Sequence, residues 1–141
     1  MFLLDTNVVS ELRKVRSGKA APEVAAWATS VSSARMFVSS ITLHDLEHGV
    51  LLAERDDQAK GALLRRWLND SVSAAFDQRV LAVDAAVAVR AAALHVPDPA
   101  PLRDALIGAT ALVHRMTLAT RNVKHFAQFD GLDILNPWQS A

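Results

Sequence analysis

Short apolar runs and helical stripes alternate along the whole chain. Met1-Phe2-Leu3-Leu4 makes a minimal buried strand, and Val8, Val9 and Leu12 behind it fall at helical spacing, so a strand over 1–4 and a helix over 7–14 are expected. A basic, glycine-containing loop over 15–21 leads to Pro22, a residue favoured in a first helical turn, and Val24, Trp27 and Val31 mark the helix it opens. Met36-Phe37-Val38 reads as a second strand, with Ser39 and Ser40 as caps for a helix over 41–55. Residues 58–76 suit another helix, with Leu63, Leu64, Trp67 and Leu68 on its buried side. A strand over 80–83, an alanine-rich helix over 84–95 and a proline-broken loop over 96–101 follow. The helix over 102–115 is apolar almost all round, which makes it central. A strand over 117–120, a short helix over 122–129 and a strand over 133–135 complete the series. Strands alternating with helices define an α/β fold, a parallel sheet covered by helices on both faces. With no repeat or linker, residues 1–141 read as one domain.

Composition narrows the function classes. Hydrophobic residues make up 51% of the 141, so much helical surface is expected to be buried, in part at an oligomer interface. Fifteen basic and fifteen acidic residues cancel, which argues against a broad basic face for duplex DNA and leaves room for a local basic patch. The chain has no cysteine, hence no disulfide frame and no thiolate chemistry, which fits a cytoplasmic protein. No apolar run has the length of a membrane span, and the first residues lack the basic region of a signal peptide.

Four polar residues sit at strand ends or in the first turns of helices. Asp5 follows the first strand, Asp45 lies early in the helix after Ser39-Ser40, Asp104 is the one acid of the central helix, and Asn122 follows the strand over 117–120. Each has a structural explanation as a helix cap or a partner of the helix dipole. Together they bring three carboxylates and an amide to one end of the sheet, where open α/β folds bind ligands. Three converging anions repel, and without compensation at least one is driven neutral. A hard divalent cation held through oxygen, Mg²⁺ or Mn²⁺, resolves this and makes an electrophilic site for phosphate oxygens. The implied reaction is metal-assisted phosphodiester hydrolysis by water. On this view, removing one carboxylate relieves repulsion, so the metal-free protein should keep or gain stability.

The chain resembles a PIN domain, in particular the VapC/FitB type of ribonuclease toxin from type II toxin–antitoxin pairs. The resemblance is carried by Leu4-Asp5-Thr6-Asn7-Val8-Val9-Ser10-Glu11, by Ser40-Ile41-Thr42-Leu43-His44-Asp45-Leu46 with Gly49-Val50, by Asp104-Ala105-Leu106-Ile107-Gly108-Ala109-Thr110-Ala111, and by Leu118-Ala119-Thr120-Arg121-Asn122. Asn136-Pro137-Trp138 is similar to the FitB-like ending. The four motifs occur in order over essentially the whole chain. The resemblance implies a three-layer α/β/α sandwich around a parallel sheet and an Mg²⁺- or Mn²⁺-dependent endoribonuclease. It also implies a homodimer inhibited by a cognate antitoxin, with operator DNA bound only through that antitoxin and no membrane association. Asp5 and Asp104 match the family's principal metal-binding acids, Asp45 is the third expected ligand, and Asn122 completes the expected catalytic set.

Two positions depart from the family pattern. Asp45 stands where Glu is usual and is one methylene shorter, and Asn122 stands where Asp is frequent and brings no charge. Both changes weaken a second metal site more than a first. An alternative follows: a catalytically weak PIN protein acting mainly as its antitoxin's partner in a DNA-bound repressor. A remoter alternative is a zinc hydrolase, since His44-Asp45-Leu46-Glu47-His48 satisfies H-x-x-E-H with two histidines one helical turn apart. Trp27, Trp67 and Trp138 read as core or dimer anchors, and Arg121 and Lys124, which flank Asn122, have the best claim to RNA phosphates.

Overall fold

Five strands, β1 (Phe2–Leu4), β2 (Met36–Ser39), β3 (Val80–Leu81), β4 (Thr117–Ala119) and β5 (Ile134–Leu135), pair in parallel in the order β3-β2-β1-β4-β5. The computed structural model describes residues 1–139, so the last two residues of the domain read from the sequence, 140–141, lie outside the described residues. The chain builds outward from β1 to β2 and β3, then crosses back to lay β4 on the other side of β1. That reversal places a crevice between the C-terminal ends of β1 and β4, the usual ligand position in an open α/β sheet.

Helices cover both faces: α1 (Thr6–Leu12), α2 (Pro22–Ser30), α3 (Ser40–Asp56), α4 (Gln58–Arg66), α5 (Ser73–Ala75), α6 (Ala85–Ala93), α7 (Leu102–Val113) and α8 (Val123–Phe126). The two-residue alternation of the strands divides the core. Leu3 and Leu118 pack with Val87, Ile107 and Phe126 on one face. Leu4 and Ala119 pack with Val8, Val38, Leu46 and Leu68 on the other. This is the expected three-layer arrangement. Strand β3 has two residues rather than the four expected; it lies at the sheet edge, and Ala82 is exposed.

The expectation for residues 58–76 needs one correction. Leu63, placed on the buried side, is 60% exposed, while Leu68, Val72 and Phe76 are buried. A spacing of four drifts away from one face of an ideal 3.6-residue helix. Here a widened π-helical segment, Trp67–Val72, joins α4 to α5 and takes up that drift. The buried stripe therefore runs 64, 68, 72, 76 and leaves Leu63 outside.

Candidate active site

Asp5 is built into the β1–β4 seam. Its backbone N–H donates to the Ala119 carbonyl at 2.9 Å, continuing the sheet one residue beyond β1. Its carboxylate then caps α1, with Oδ1 accepting the Thr6 N–H at 2.8 Å. Oδ2 accepts the Thr120 hydroxyl at 2.8 Å and, more weakly, the Asn7 amide at 3.4 Å. The residue is fully buried, and an ionised group there requires this number of donors. Thr120 is buried too, and its Oγ1 also accepts the Asn122 N–H at 3.0 Å.

Asp45 arrives from α3, whose first turn is capped by the Ser39 hydroxyl on the Ile41 N–H at 3.0 Å. Its Oδ2 accepts the Thr6 hydroxyl at 2.8 Å, which ties α3 to α1. Asp104 lies in the first turn of α7 and is buried. The three acids expected from the sequence are thus brought together from three separate elements.

Arg103 stands among them. Its Nη2 donates to Asp5 Oδ1 at 2.8 Å, its Nε to Asp45 Oδ2 at 2.7 Å, and its Nη1 to Asp104 Oδ1 at 3.2 Å. Desolvation works to raise the Asp45 carboxyl, but hydrogen bonds from Arg103 and Thr6 outweigh it and hold the group below the ordinary carboxylate range. Desolvation likewise opposes the charge on Arg103, and its bonds to Asp5 and Asp45 reverse that, keeping the guanidinium protonated. The acids are therefore not an uncompensated cluster. The expectation that losing one carboxylate leaves the metal-free protein as stable or more so rested on uncompensated repulsion, and that premise does not hold here, because each acid is already one partner of a cation.

Asn122 is not part of this constellation. It contributes its backbone N–H to Thr120, while its side chain is exposed and lines a surface pocket with Arg121, Lys124, His125 and Asn136. The pocket adjoins the acids, since His125 Nδ1 lies 3.8 Å from Asp104 Oδ2. Arg121 also sits over the Trp138 ring at 5.1 Å and Arg13 over Trp67 at 5.9 Å, so two of the three half-buried tryptophans carry a cation on their outer face. Trp27 meets Phe2 edge-on at 5.4 Å.

The all-oxygen donor set of Asp5, Asp45 and Asp104 fits a hard divalent ion, and the guanidinium marks where these oxygens accept positive charge. Among the described residues, no three carboxylates or imidazoles surround one free point; the acids surround Arg103 instead. His44 and His48 gain no third ligand either, and Glu47 is held by Arg65 at 2.6 and 2.7 Å. That arrangement removes the general base the zinc alternative required.

Sequence reasoning missed Arg103, Thr6 and Thr120. Thr120 yields a direct test. Thr120→Val keeps the shape but takes a donor from a buried carboxylate and an acceptor from the Asn122 N–H. A loss of about 1–3 kcal/mol in denaturant unfolding is expected, the usual cost of buried polar groups left unpaired.

A model of the PIN domain matches residues 2–132. A VapC ribonuclease from Sinorhizobium fredii is 33% identical over 146 residues, covering 100% of each chain. The toxin FitB of Neisseria gonorrhoeae is 34% identical over 143 residues, covering 98% of this chain and 99% of its own. In three dimensions, the FitAB complex bound to a DNA fragment has a chain matching at a TM-score of 0.89 and 31% identity, over 100% of this chain and 98% of that one. The chain belongs to the PIN domain family, in its VapC/FitB toxin branch. Among the described residues, no helix is long and apolar enough to cross a membrane.

Proposed function

We propose that this protein is the toxin of a type II toxin–antitoxin pair, an endoribonuclease that hydrolyses RNA phosphodiester bonds with Mg²⁺ or Mn²⁺. The observation that carries the reading is the meeting of Asp5, Asp45 and Asp104 on one cation at the β1–β4 crevice. Those three carboxylates would hold the metal, which when bound polarises the scissile phosphate and makes water a nucleophile near neutral pH. The chain's own contribution is position. Asp5 is fixed by Thr6, Thr120 and the sheet, and Asp104 by burial in the first turn of α7. Arg121 and Lys124, exposed beside the acids, bind the phosphates flanking the cleaved bond, and Asn122 in the same pocket orients substrate or water.

In this reading the protein works in the cytoplasm as a homodimer. A cognate antitoxin blocks the site and carries the pair to operator DNA, as the likeness to a DNA-bound FitAB complex supports. Arg103 within the acids, and the short Asp45, favour a second reading, a weak nuclease retained mainly as its antitoxin's partner. A cleavage assay decides between them. Purified protein with end-labelled RNA should cut in Mg²⁺ or Mn²⁺ and stop with chelator, and Asp104→Asn should be inactive. Either ion should also raise the melting temperature with concentration, because it binds the folded acids and not the unfolded chain. RNA left intact at all metal concentrations, with antitoxin binding retained, would select the second reading.

A further inference from the structure

Arg103 has no task in the chemistry above, yet three of its nitrogens each meet a different carboxylate. Its Nη2 also reaches the Thr6 hydroxyl at 3.1 Å, so the guanidinium contacts residues of α1, α3 and α7 as well as the end of β1. A planar group with fixed donors fits such a set in a way a point charge does not.

We propose that Arg103 is the resident counter-cation of the site: a divalent ion reaches the carboxylates only by displacing the guanidinium, and an RNA phosphate receives it once displaced. The inference rests on the metal-nuclease reading given above.

Three observations lead to it. First, the oxygens a metal would use are the ones the guanidinium holds, at 2.7 to 3.2 Å. A dication on the same oxygens would lie within a few ångström of a full positive charge, where repulsion is strong and salt screens it little. The two cations therefore exclude each other. Second, Arg103 is the member free to leave. Its side chain is 38% exposed, whereas Asp5 is 1% and Asp104 9% exposed. Third, a guanidinium swung outward presents unpartnered donors whose fork matches phosphate oxygens, and His125, 3.8 Å from Asp104, lines the neighbouring pocket that holds Arg121 and Lys124. Metal and RNA then help one another. RNA removes the competitor from the acids, the metal releases the donor for RNA, and by linkage each tightens the other equally. The free protein is held in a state that binds metal poorly.

The test is metal binding by the full chain, followed by the free Mn²⁺ electron-paramagnetic signal, for wild type, Arg103→Gln and Arg103→Lys. Arg103→Gln should bind Mn²⁺ about tenfold or more tightly, since a competing charge-assisted contact is gone. Arg103→Lys, which keeps the charge without the fork, should fall between. A phosphorothioate RNA oligonucleotide should tighten Mn²⁺ binding by wild type and leave Arg103→Gln unaffected. Without metal, Arg103→Gln should melt lower than wild type and recover on adding Mn²⁺. If that variant does not fold without metal, its refolding by Mn²⁺ is the same expected result, and Arg103→Lys supplies the affinity comparison. Measurable but equal Mn²⁺ affinity in all three proteins would overturn the role of Arg103 and leave the metal reading standing. No Mn²⁺ binding by any of them would overturn both. Tighter binding in Arg103→Gln with the RNA effect intact would overturn the transfer to phosphate.

Discussion

Asp5→Asn is expected to abolish metal-dependent RNA cleavage and to lower the melting temperature of the metal-free protein. The loss of activity follows from the proposed ligand role, since the variant removes the charge of the most rigidly held carboxylate. The loss of stability follows from what surrounds it. Thr6 N–H, the Thr120 hydroxyl and Arg103 all donate to this carboxylate. An amide keeps one accepting oxygen and turns the other into a donor, so one of these partners meets N–H where it met oxygen. The best compromise sets the new NH₂ toward Thr120 and leaves Arg103 with a neutral acceptor. Breaking a fully buried ion pair costs about 3–5 kcal/mol. The Arg103 end is partly solvated, which reduces that to about 1–3 kcal/mol. Thermal and denaturant unfolding, beside a cleavage assay on repurified protein, measure both effects. Undiminished cleavage would remove Asp5 from the site. A rise in melting temperature would mean that repulsion among the acids outweighs their pairing with Arg103.

The sequence made Asp5 and Asp104 visible because each interrupts an otherwise apolar stretch, after β1 and within α7. The order of strands and helices was legible for a similar reason: buried parallel strands are short apolar runs set between helical stripes. Arg103 was not legible. On a helical pattern it is an unremarkable charge near the start of α7, and its meaning comes from partners 58 and 98 residues away. Thr6 and Thr120 were hidden by their chemistry, because a hydroxyl beside a strand end is usually a cap, and only the β1–β4 pairing brings the Thr120 hydroxyl onto Asp5. Asn122 was assigned to the acids by its place after β4, which fixes its backbone but not the direction of its side chain. The converging acids pointed to a hard divalent cation and phosphate chemistry, and the resemblance to the family supplied the RNA. Neither composition nor periodicity reaches that far.

Gly61→Ala is expected to destabilise the fold, and Gly49→Ala to have the opposite sign. Both glycines are helical, and propensity alone favours alanine by about 1 kcal/mol at each. Their surroundings differ. A Cβ on Gly49 meets nothing within 4 Å, so the full propensity gain should appear. A Cβ on Gly61 would stand 2.5 Å from Glu54 Cα and 2.7 Å from Glu54 N, which are backbone atoms unable to swing aside. The α3–α4 hairpin turns on Asp57, which ends one helix and caps the next, so it has little slack to open. Opening it would also pull Arg65 from Glu47 and Glu54, which it now holds at 2.6 to 3.3 Å. Overpacking against side chains costs about 1–3 kcal/mol, and against rigid backbone the upper end is expected. Allowing for the propensity gain, Gly61→Ala should lose about 2 kcal/mol. Asp45 sits near the other end of α3, anchored by the Ser39 cap and Thr6, so metal-dependent cleavage by folded Gly61→Ala should persist at low temperature. Denaturant melts of the two variants side by side settle the matter, and equal stabilisation of both would show that the helices separate without cost.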